Sequence, residues 1–244
     1  MTKLIYEQPL NEKTRSYLRL EYLAEQLQAN LDHDHQHRCF YPLFSLFELT
    51  ERCDYRGEVL QDLDRQIFAL SKWQSLPAIN DEQLALYIDK LSAARDILQV
   101  AQRPGNELKR NRFLSALRQR FNMPGASCNF DLPQLHYWLA KPWSERQQEY
   151  QDWMSHFASL LSPVKLLLDL TRQTTSYEVK EASGGFFQGT SSQALSLIRV
   201  RLAAEYGCYP TISGHRNRYA IHFVQFDEQK HSDQAIEFEL ATCS

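Results

Sequence analysis

The stretch that decides the fold is ALSLIRVRLAAEYGCYPTISGHRNRYAIHFVQF, residues 194–226, which predicts two β-strands joined by a loop. Apolar and polar side chains alternate over Ala194–Ala203 and again over Arg218–Phe226. Because successive side chains of a strand point to opposite faces of a sheet, each segment would present one apolar face. If the two strands pair, their other faces would merge into one basic patch. That patch would contain Arg199, Arg201, Arg218 and His222.

A second interpretation of the arginine pair stays open. The last predicted strand, Ala235–Ala241, places Glu237 and Glu239 on the face opposite to its apolar side chains. If these acids lie across from Arg199 and Arg201, the four charges would form an ordinary salt-bridged outer face. The arginines would then have no role in binding a partner.

The residues before this stretch predict a helical body. Glycine occurs only at positions 57, 105 and 125 before residue 176, and apolar side chains recur at spacings of three and four. Predicted helices begin after Asn11 and cover about Pro42–Lys72, a segment after Pro77–Asp81 that Asp81 can cap, Asn106–Phe121, Leu132–Leu139, and Ser144 to about Thr174 with a break or kink at Ser162-Pro163.

The composition changes near Thr174, where glycines become frequent and strand formers replace helix formers. Strands are predicted over about Tyr177–Ala182, Gly185–Thr190, Ala194–Ala203, Arg218–Phe226 and Ala235–Ala241. The first two read as a hairpin. The sequence therefore predicts an α+β protein, with an α-helical domain over residues 1–176 and a small antiparallel β domain over residues 177–244.

Composition limits the classes of function. The 244 residues carry a net charge of −3, whereas a dedicated nucleic-acid-binding protein is usually basic. No run of about 18 apolar residues is present, so no membrane-spanning helix is expected. The first ten residues lack the apolar core of a signal peptide, and the five scattered cysteines include no CxxC pair. We expect a cytoplasmic protein with reduced thiols.

Arg56 occupies a position of the Pro42–Lys72 apolar seam where the spacing predicts an apolar residue. Such an arginine is either paired locally, with Glu51 or Asp54, or faces a binding surface at a domain edge. The sequence does not separate these two interpretations.

Two other clusters suggest other classes of function. Residues 103–120 carry many basic side chains, so a nucleic-acid or acidic-surface binding module is the alternative function, although a solvated face explains such a run more simply. His33, His35 and His37 would suit a metal site, but a polar loop is the favoured interpretation, since histidines at i and i+2 do not share a helix face.

The known signatures of catalysis are missing from the sequence. It contains no GxGxxG or GxxxxGK[ST] phosphate loop, no GxSxG elbow and no HExxH zinc motif. We therefore expect a non-enzymatic interaction protein with no catalytic residues, no metal and no cofactor.

Several motifs together resemble the bacterial ZapD family of cell division proteins over essentially the whole chain. The residues that carry the resemblance are Tyr6–Lys13 (YEQPLNEK), Arg15, Leu18, Arg19, Glu21, Leu23, Leu60–Gln66 (LQDLDRQ), Asp131–Trp138 (DLPQLHYW) and Arg218–Ile221 (RYAI). The resemblance implies an α-helical domain followed by a β domain, a homodimer without enzymatic activity, and action at the division site. It also implies binding to the carboxyl-terminal tail of FtsZ, with bundling of FtsZ filaments that promotes assembly of the division ring. No nucleic acid or membrane is implied as a partner.

The resemblance further implies that basic residues in a pocket between the two domains hold the tail. Carried over residue by residue, these positions are Arg15, Arg56, Lys180, Arg218 and His222. His222 departs from the arginine expected in other members of the family. Unlike arginine, histidine changes its charge near neutral pH.

Overall fold

The computed structural model describes residues 2–34, 36–75, 81–125, 127–227 and 230–244. The helices in these residues are α1 Glu12–Asp32, α2 Phe40–Arg52, α3 Arg56–Ser71, α4 Asp81–Val100, α5 Arg112–Arg120, α6 Pro133–Leu139, α7 Trp143–Ser155 and α8 Ala158–Gln173. The strands are β1 Lys3–Pro9, β2 Glu178–Ala182, β3 Phe186–Thr190, β4 Leu197–Ala203, β5 Cys208–His215, β6 Arg218–Gln225 and β7 Ile236–Cys243. The predicted α+β class, with helices first and antiparallel strands after them, is confirmed.

The chain divides into two compact units. One combines Met1–Arg19 with Leu168–Ser244, and we call it the strand unit. The other is Leu20–Leu167, and we call it the helical unit. The sequence places a boundary at residue 176, whereas the strand unit also takes in the first residues of the chain.

The first residues join the strand unit because they form β1, although the sequence predicts helix almost throughout residues 1–176. β1 pairs antiparallel with β4, with Tyr6 opposite Val200 and Glu7 opposite Arg199. Tyr6 packs against the core of the strand unit. The strand is short and its partner lies nearly 200 residues later in the chain, so local periodicity gives little sign of it.

The strands form two antiparallel sheets, one with the order β1-β4-β7-β2 and the other with the order β3-β6-β5. The condition for a merged basic patch, pairing of Ala194–Ala203 with Arg218–Phe226, is not met, because β4 and β6 belong to different sheets. β5, which the sequence interpretation missed, pairs with β6 instead. It contains Pro210 and Gly214, two residues that usually interrupt strands, but an edge strand tolerates proline.

β2 and β3 also differ from the predicted hairpin, because they lie in different sheets. Their connection passes through Gly184 and Gly185, which both have positive φ. The apolar faces of the two sheets share one core. Phe238 of β7 lies 5.4 Å from Phe187 of β3 and 5.0 Å from Phe223 of β6, measured between ring centroids. The two sheets therefore pack face to face.

In the helical unit, the predicted Pro42–Lys72 helix is two helices. α2 ends at Arg52, and Cys53 is extended with φ −125° and ψ 136° before α3 begins at Arg56. Asn11 caps α1 as predicted, since its side-chain oxygen accepts a bond from the Thr14 amide at 2.8 Å.

Of the break or kink expected at Ser162-Pro163, the break does not occur, because Pro163 lies inside α8. The break between helices comes earlier, between Ser155 and Ala158. Phe157, Leu160 and Val164 are all buried. Burial of this stripe stabilises a continuous helix enough to offset the hydrogen bond that proline cannot donate.

Candidate functional site

The outer face of the three-stranded sheet is the candidate site. Alternation along β6 turns Tyr219, Ile221 and Phe223 toward the core and leaves Arg218 and His222 on the other side. We call that other side of β3-β6-β5 the outer face. The side chains paired with these two residues are Thr190 and His215 opposite Arg218, and Phe186 and Thr211 opposite His222.

His222 sits in an aromatic group on this face. Its ring centroid lies 4.7 Å from that of Phe186 and 4.8 Å from that of His231. His231 reaches the face because its backbone bridges to Val224 of β6. Phe186 is 39% exposed, so it offers an apolar contact beside the histidine pair. The sequence interpretation singled out neither Phe186 nor His231, because their position depends on strand pairing.

Arg218 begins β6 and is exposed. His215 lies directly across from it in β5, and Arg216 occupies the tight turn between the two strands with φ 56°. None of the residues paired with Arg218, Ala220 and His222 is acidic. The face therefore combines permanent or titratable positive charge with one exposed phenyl ring, a combination that suits an acidic peptide with an apolar side chain.

Lys180 belongs to β2 of the other sheet, where it lies opposite the buried Phe238, and so it is not part of the outer face. Its ammonium is 2.7 Å from a carboxylate oxygen of Glu178, and this bond raises the pKa of Lys180. Burial raises the pKa of Tyr219, and the positive charge of Lys180 opposes that rise. The charge of Lys180 therefore influences Tyr219, the residue that follows Arg218 in β6.

Arg15 and Arg56 occupy other elements. Arg15 is on the first turn of α1, where its Nε lies 3.1 Å from Oε1 of Glu12; the Arg15 side chain is 37% exposed and that of Glu12 is 84% exposed. Arg56 lies in the helical unit, and the other four candidate residues lie in the strand unit. Its Nη1 donates to the carbonyl oxygen of Ala101 at 3.0 Å, and its Nη2 donates to that of Gln99. Arg56 thus binds carbonyls at the C-terminal end of α4, where a cation is favourable.

Arg199 and Arg201 lie in the four-stranded sheet, apart from the outer face. Arg201 Nη1 is 2.8 Å from Glu239, as one of the two interpretations predicts. Arg199 pairs with Glu7 at 2.8 Å, and not with Glu237 as that interpretation expects. Both guanidinium groups also lie over the ring of Tyr177, at 5.2 Å and 4.0 Å from its centroid.

The acids that hold these arginines are firmly ionised. Burial of Glu7 disfavours its charged form, but bonds from Arg172 and Arg199 outweigh that cost and lower the pKa of Glu7. Bonds from Lys3 and Arg201 likewise lower the pKa of Glu239. Arg199 and Arg201 are therefore committed to pairs within the strand unit.

The basic segment 103–120 also uses several of its cations internally. Arg118 and Lys109 both contact the carboxylate of Glu51, at 2.7 Å and 3.3 Å. Arg103 donates to backbone carbonyls of Thr50 and Glu51. The predicted single helix is also interrupted, because a 3-10 turn over Glu107–Arg110 precedes α5.

The histidine-rich segment supports no metal site within the described residues. His35 lies outside those residues, as does the side chain of His37. Across the part of the chain that the structure describes, no three histidine, cysteine, aspartate or glutamate side chains are placed to hold a metal ion. In the same residues, every helix is too short or too polar to cross a bilayer. The predicted chain break Pro77–Asp81 lies mostly outside the described residues, and α4 begins at its last residue.

Comparison with known proteins agrees with the sequence resemblance. A family model described as "ZapD: Cell division protein" matches residues 18–222. The chain is 68% identical to the cell division protein ZapD of Shewanella sp. (strain MR-4), over 244 residues that cover all of both chains. It is 40% identical to the cell division protein ZapD of Vibrio cholerae serotype O1 (strain M66-2), over 246 aligned positions that cover all of both chains. The resemblance predicted from the motifs is thereby confirmed, and the chain belongs to the ZapD family of cell division proteins.

Proposed function

We propose that this chain is a non-enzymatic division factor that binds the carboxyl-terminal tail of FtsZ. As a homodimer in the cytoplasm at midcell, it would cross-link and bundle FtsZ filaments and so promote assembly of the division ring. The observation that carries the proposal is the outer face, where Arg218, His222 and Phe186 lie together without an acidic neighbour among their paired residues. Membership of a cell division family supports it.

The proposed binding is weak at each site and strong in sum. A disordered tail gains charge-assisted bonds and an apolar contact, but it loses conformational freedom when it is ordered. We expect a dissociation constant of about micromolar order for one tail. A dimer presents two sites and a filament presents many tails, so multivalency bundles filaments without any tight single contact.

Arg218 is the residue that tests the proposal, and His222 is its neighbour on the outer face. Lys180 stays in the proposed set because of the family resemblance. Arg15 and Arg56 stay in the proposed set because of the family resemblance. Arg56 is a poor test residue, since it binds carbonyls at the end of α4 and its loss would also disturb the helical unit.

The Arg218→Glu variant should lose FtsZ bundling, because it reverses a charge on the outer face and, within the described residues, breaks no ion pair of the strand unit. Co-sedimentation with purified FtsZ measures bundling, and circular dichroism checks the fold. Arg52→Glu is the matched control, because Arg52 is 74% exposed and pairs only with Glu48 of its own helix among the ion pairs of the described residues.

Two outcomes would contradict the proposal. One is unchanged bundling by the folded Arg218→Glu protein. The other is bundling of FtsZ that lacks its tail, since the tail is the proposed ligand. A gel shift with double-stranded DNA addresses the alternative based on residues 103–120. We expect none at physiological salt, because Lys109 and Arg118 already contact Glu51 and the chain carries a net charge of −3.

A further inference from the structure

A cavity lined mainly by aromatic rings lies where the edges of the two sheets meet. β1 is an edge strand of the four-stranded sheet, and β5 is an edge strand of the three-stranded sheet. Tyr6 of β1, Tyr209 of β5, and Phe226 and Asp227 just after β6 line a cavity of about 570 Å³. We call it the edge cavity. Its volume is in the range of sites that hold small ligands.

The backbone of the strand unit fixes the positions of these side chains. Tyr6 packs against the core that the two sheets share. Tyr209 lies opposite Val224 of β6. The amide of Phe226 donates to the carbonyl oxygen of Gly207 at 3.0 Å, which holds the start of the turn against β5. The cavity is therefore built by strand pairing.

Phe226 is 74% exposed, whereas Tyr6 and Tyr209 are partly buried. A ring as exposed as that of Phe226 contributes little to the core. Its removal therefore tests binding in the edge cavity without disturbing the packing of the sheets.

The lining of the edge cavity is suited to a positive group. The face of an aromatic ring carries partial negative charge, and an ammonium or guanidinium group within about 6 Å of the ring is attracted to it. Asp227 adds a full negative charge and is exposed. Within the described residues, no cation forms an ion pair with Asp227, and none of the four lining residues is basic.

Other classes of ligand fit this lining poorly. An anion would be repelled by Asp227, and an apolar ligand would take water from that carboxylate without replacing its hydrogen bonds. A metal ion needs several anionic or carbonyl oxygens, and here a single carboxylate is available. Burial raises the pKa of Tyr6, and the neighbouring Cys208 adds to the rise, so the Tyr6 phenol stays protonated.

We propose that the edge cavity is a binding site for an organic cation, an ammonium or guanidinium group carried on an aliphatic stem. The three rings contact the cation and its stem, and Asp227 pairs with its charge. This site does not depend on FtsZ binding. Arg218 begins β6 and Phe226 follows its end, so the basic side chain lies roughly 26 Å along the strand from the cavity.

The first test compares choline with neohexanol, in which a carbon atom replaces the quaternary nitrogen. Each is titrated into the full-length protein at matched ionic strength, and the amide chemical shifts of Tyr209 and Phe226 report binding at the cavity. We expect a dissociation constant of about millimolar order for choline and binding at least about fivefold weaker for neohexanol. Equal affinities, or no shift with choline, would overturn the proposal.

The second test changes the lining. Phe226→Ala should weaken choline binding about three- to fivefold, and Phe226→Trp should strengthen it about twofold, because the indole ring attracts cations best. Phe130→Ala is the matched control, since Phe130 is 80% exposed but lies in the helical unit. A Phe226→Trp protein that binds choline less tightly than the Phe226→Ala protein would contradict the role of the ring.

The carboxylate is tested in the same way. Asp227→Asn should weaken choline binding about threefold, and it should leave the neohexanol affinity unchanged. Asp233→Asn is the control, because Asp233 is an exposed acid of the same unit that does not line the cavity. Unchanged choline binding by the folded Asp227→Asn protein would show that Asp227 does not pair with the cation.

Two further ligands identify the source of the cation. Spermidine represents free polyamines, and a tripeptide amide with a central arginine represents the side chain of a protein. Tighter binding of either one than of choline supports the site and names its source, whereas failure of both to bind would overturn it. Arg218→Glu should leave all these affinities unchanged, so loss of FtsZ bundling and loss of cation binding are distinguished.

Discussion

Glu7 shows how one carboxylate organises a face of the four-stranded sheet. It accepts bonds from Arg172 at 2.7 and 2.9 Å and from Arg199 at 2.8 Å. The three side chains are only 13–19% exposed. Two arginines that would be costly to bury alone are therefore held by one acid, in a geometry that two parallel N–H donors from Arg172 make specific.

Glu7→Gln should lower the free energy of unfolding by about 2–4 kcal/mol at pH 7, since two partly buried arginines lose the carboxylate that they share. Because the pKa of Glu7 in the fold lies below its ordinary value of 4.5, its contribution is complete above that pH and is lost as the pH falls through the folded-state pKa. The difference between the two proteins should therefore shrink below about pH 4.

Urea unfolding at a series of pH values measures this effect. Glu178→Gln is the control, because Glu178 pairs with Lys180 while its side chain is 69% exposed, and it should cause no measurable change. A Glu7→Gln penalty that stayed constant down to pH 3 would show that charge is not its cause.

At the scale of elements, Gly185 makes the crossing from one sheet to the other possible. Its amide donates to the carbonyl oxygen of Gln234 at 2.9 Å, and its carbonyl oxygen accepts from the Phe223 amide at 2.8 Å. Its φ is +67°, and a Cβ there would lie 2.2 Å from the carbonyl oxygen of Ser232. Only glycine fits where three backbone segments meet this closely.

Gly185→Ala should therefore destabilise the protein by about 3–5 kcal/mol, through backbone strain together with a clash against a main chain. Gly184→Ala offers the matched comparison, since Gly184 also has positive φ, +60°, but no atom within 4 Å of a new Cβ. It should cost about 1–2 kcal/mol from strain alone. Chemical denaturation of both variants measures the difference, and equal losses would contradict the role of the close contact.

Two arginines of the helical unit donate hydrogen bonds to carbonyl oxygens at the C-terminal ends of helices. Arg56 at the start of α3 binds carbonyls at the end of α4, and Arg103 just after α4 donates to Thr50 at 3.0 Å and Glu51 at 2.9 Å near the end of α2. These carbonyls have no partner within their own helices. Arg56, which interrupts the predicted apolar seam, thus caps the C-terminal end of α4. Its proposed role in tail binding stays a prediction.

Arg103→Ala should lower the free energy of unfolding by about 1–2 kcal/mol, because two helix-terminal carbonyls lose a charged donor. Arg103→Lys should recover only part of the loss, since one ammonium does not reproduce the fork of the guanidinium. Arg110→Ala serves as the control, because Arg110 is an exposed cation of the neighbouring turn. Thermal unfolding of the three variants measures their relative stabilities. An Arg103→Lys protein as unstable as Arg103→Ala would show that the positive charge does not contribute to the stability.

At the scale of the whole molecule, tail binding should depend on salt. The proposed tail contacts are exposed charges, which ions screen over about 10 Å at 0.1 M. Raising salt from about 50 to 300 mM should weaken tail binding several-fold.

Fluorescence anisotropy of a labelled tail peptide measures this response. A salt-independent tail affinity would indicate an apolar interface instead.

The sequence by itself determined the features that depend on neighbours along the chain. The helix stripes, the cap at Asn11, five of the strands and the α+β class were all predictable, because helix bonds and strand alternation are local. The family was also readable from the opening motif and from Arg218–Ile221.

Only the tertiary structure decided which strands meet. Strand pairing joins residues far apart in the chain, so no local pattern could reveal that β1 pairs with β4, that Glu7 holds Arg199, or that β6 lies between β3 and β5 in a different sheet from β4. The same pairing brings Phe186 and His231 beside His222, and it separates Arg199 and Arg201 from Arg218. Arg218 and His222 could be named from the sequence, but their neighbours on the outer face are set by long-range hydrogen bonds between strands.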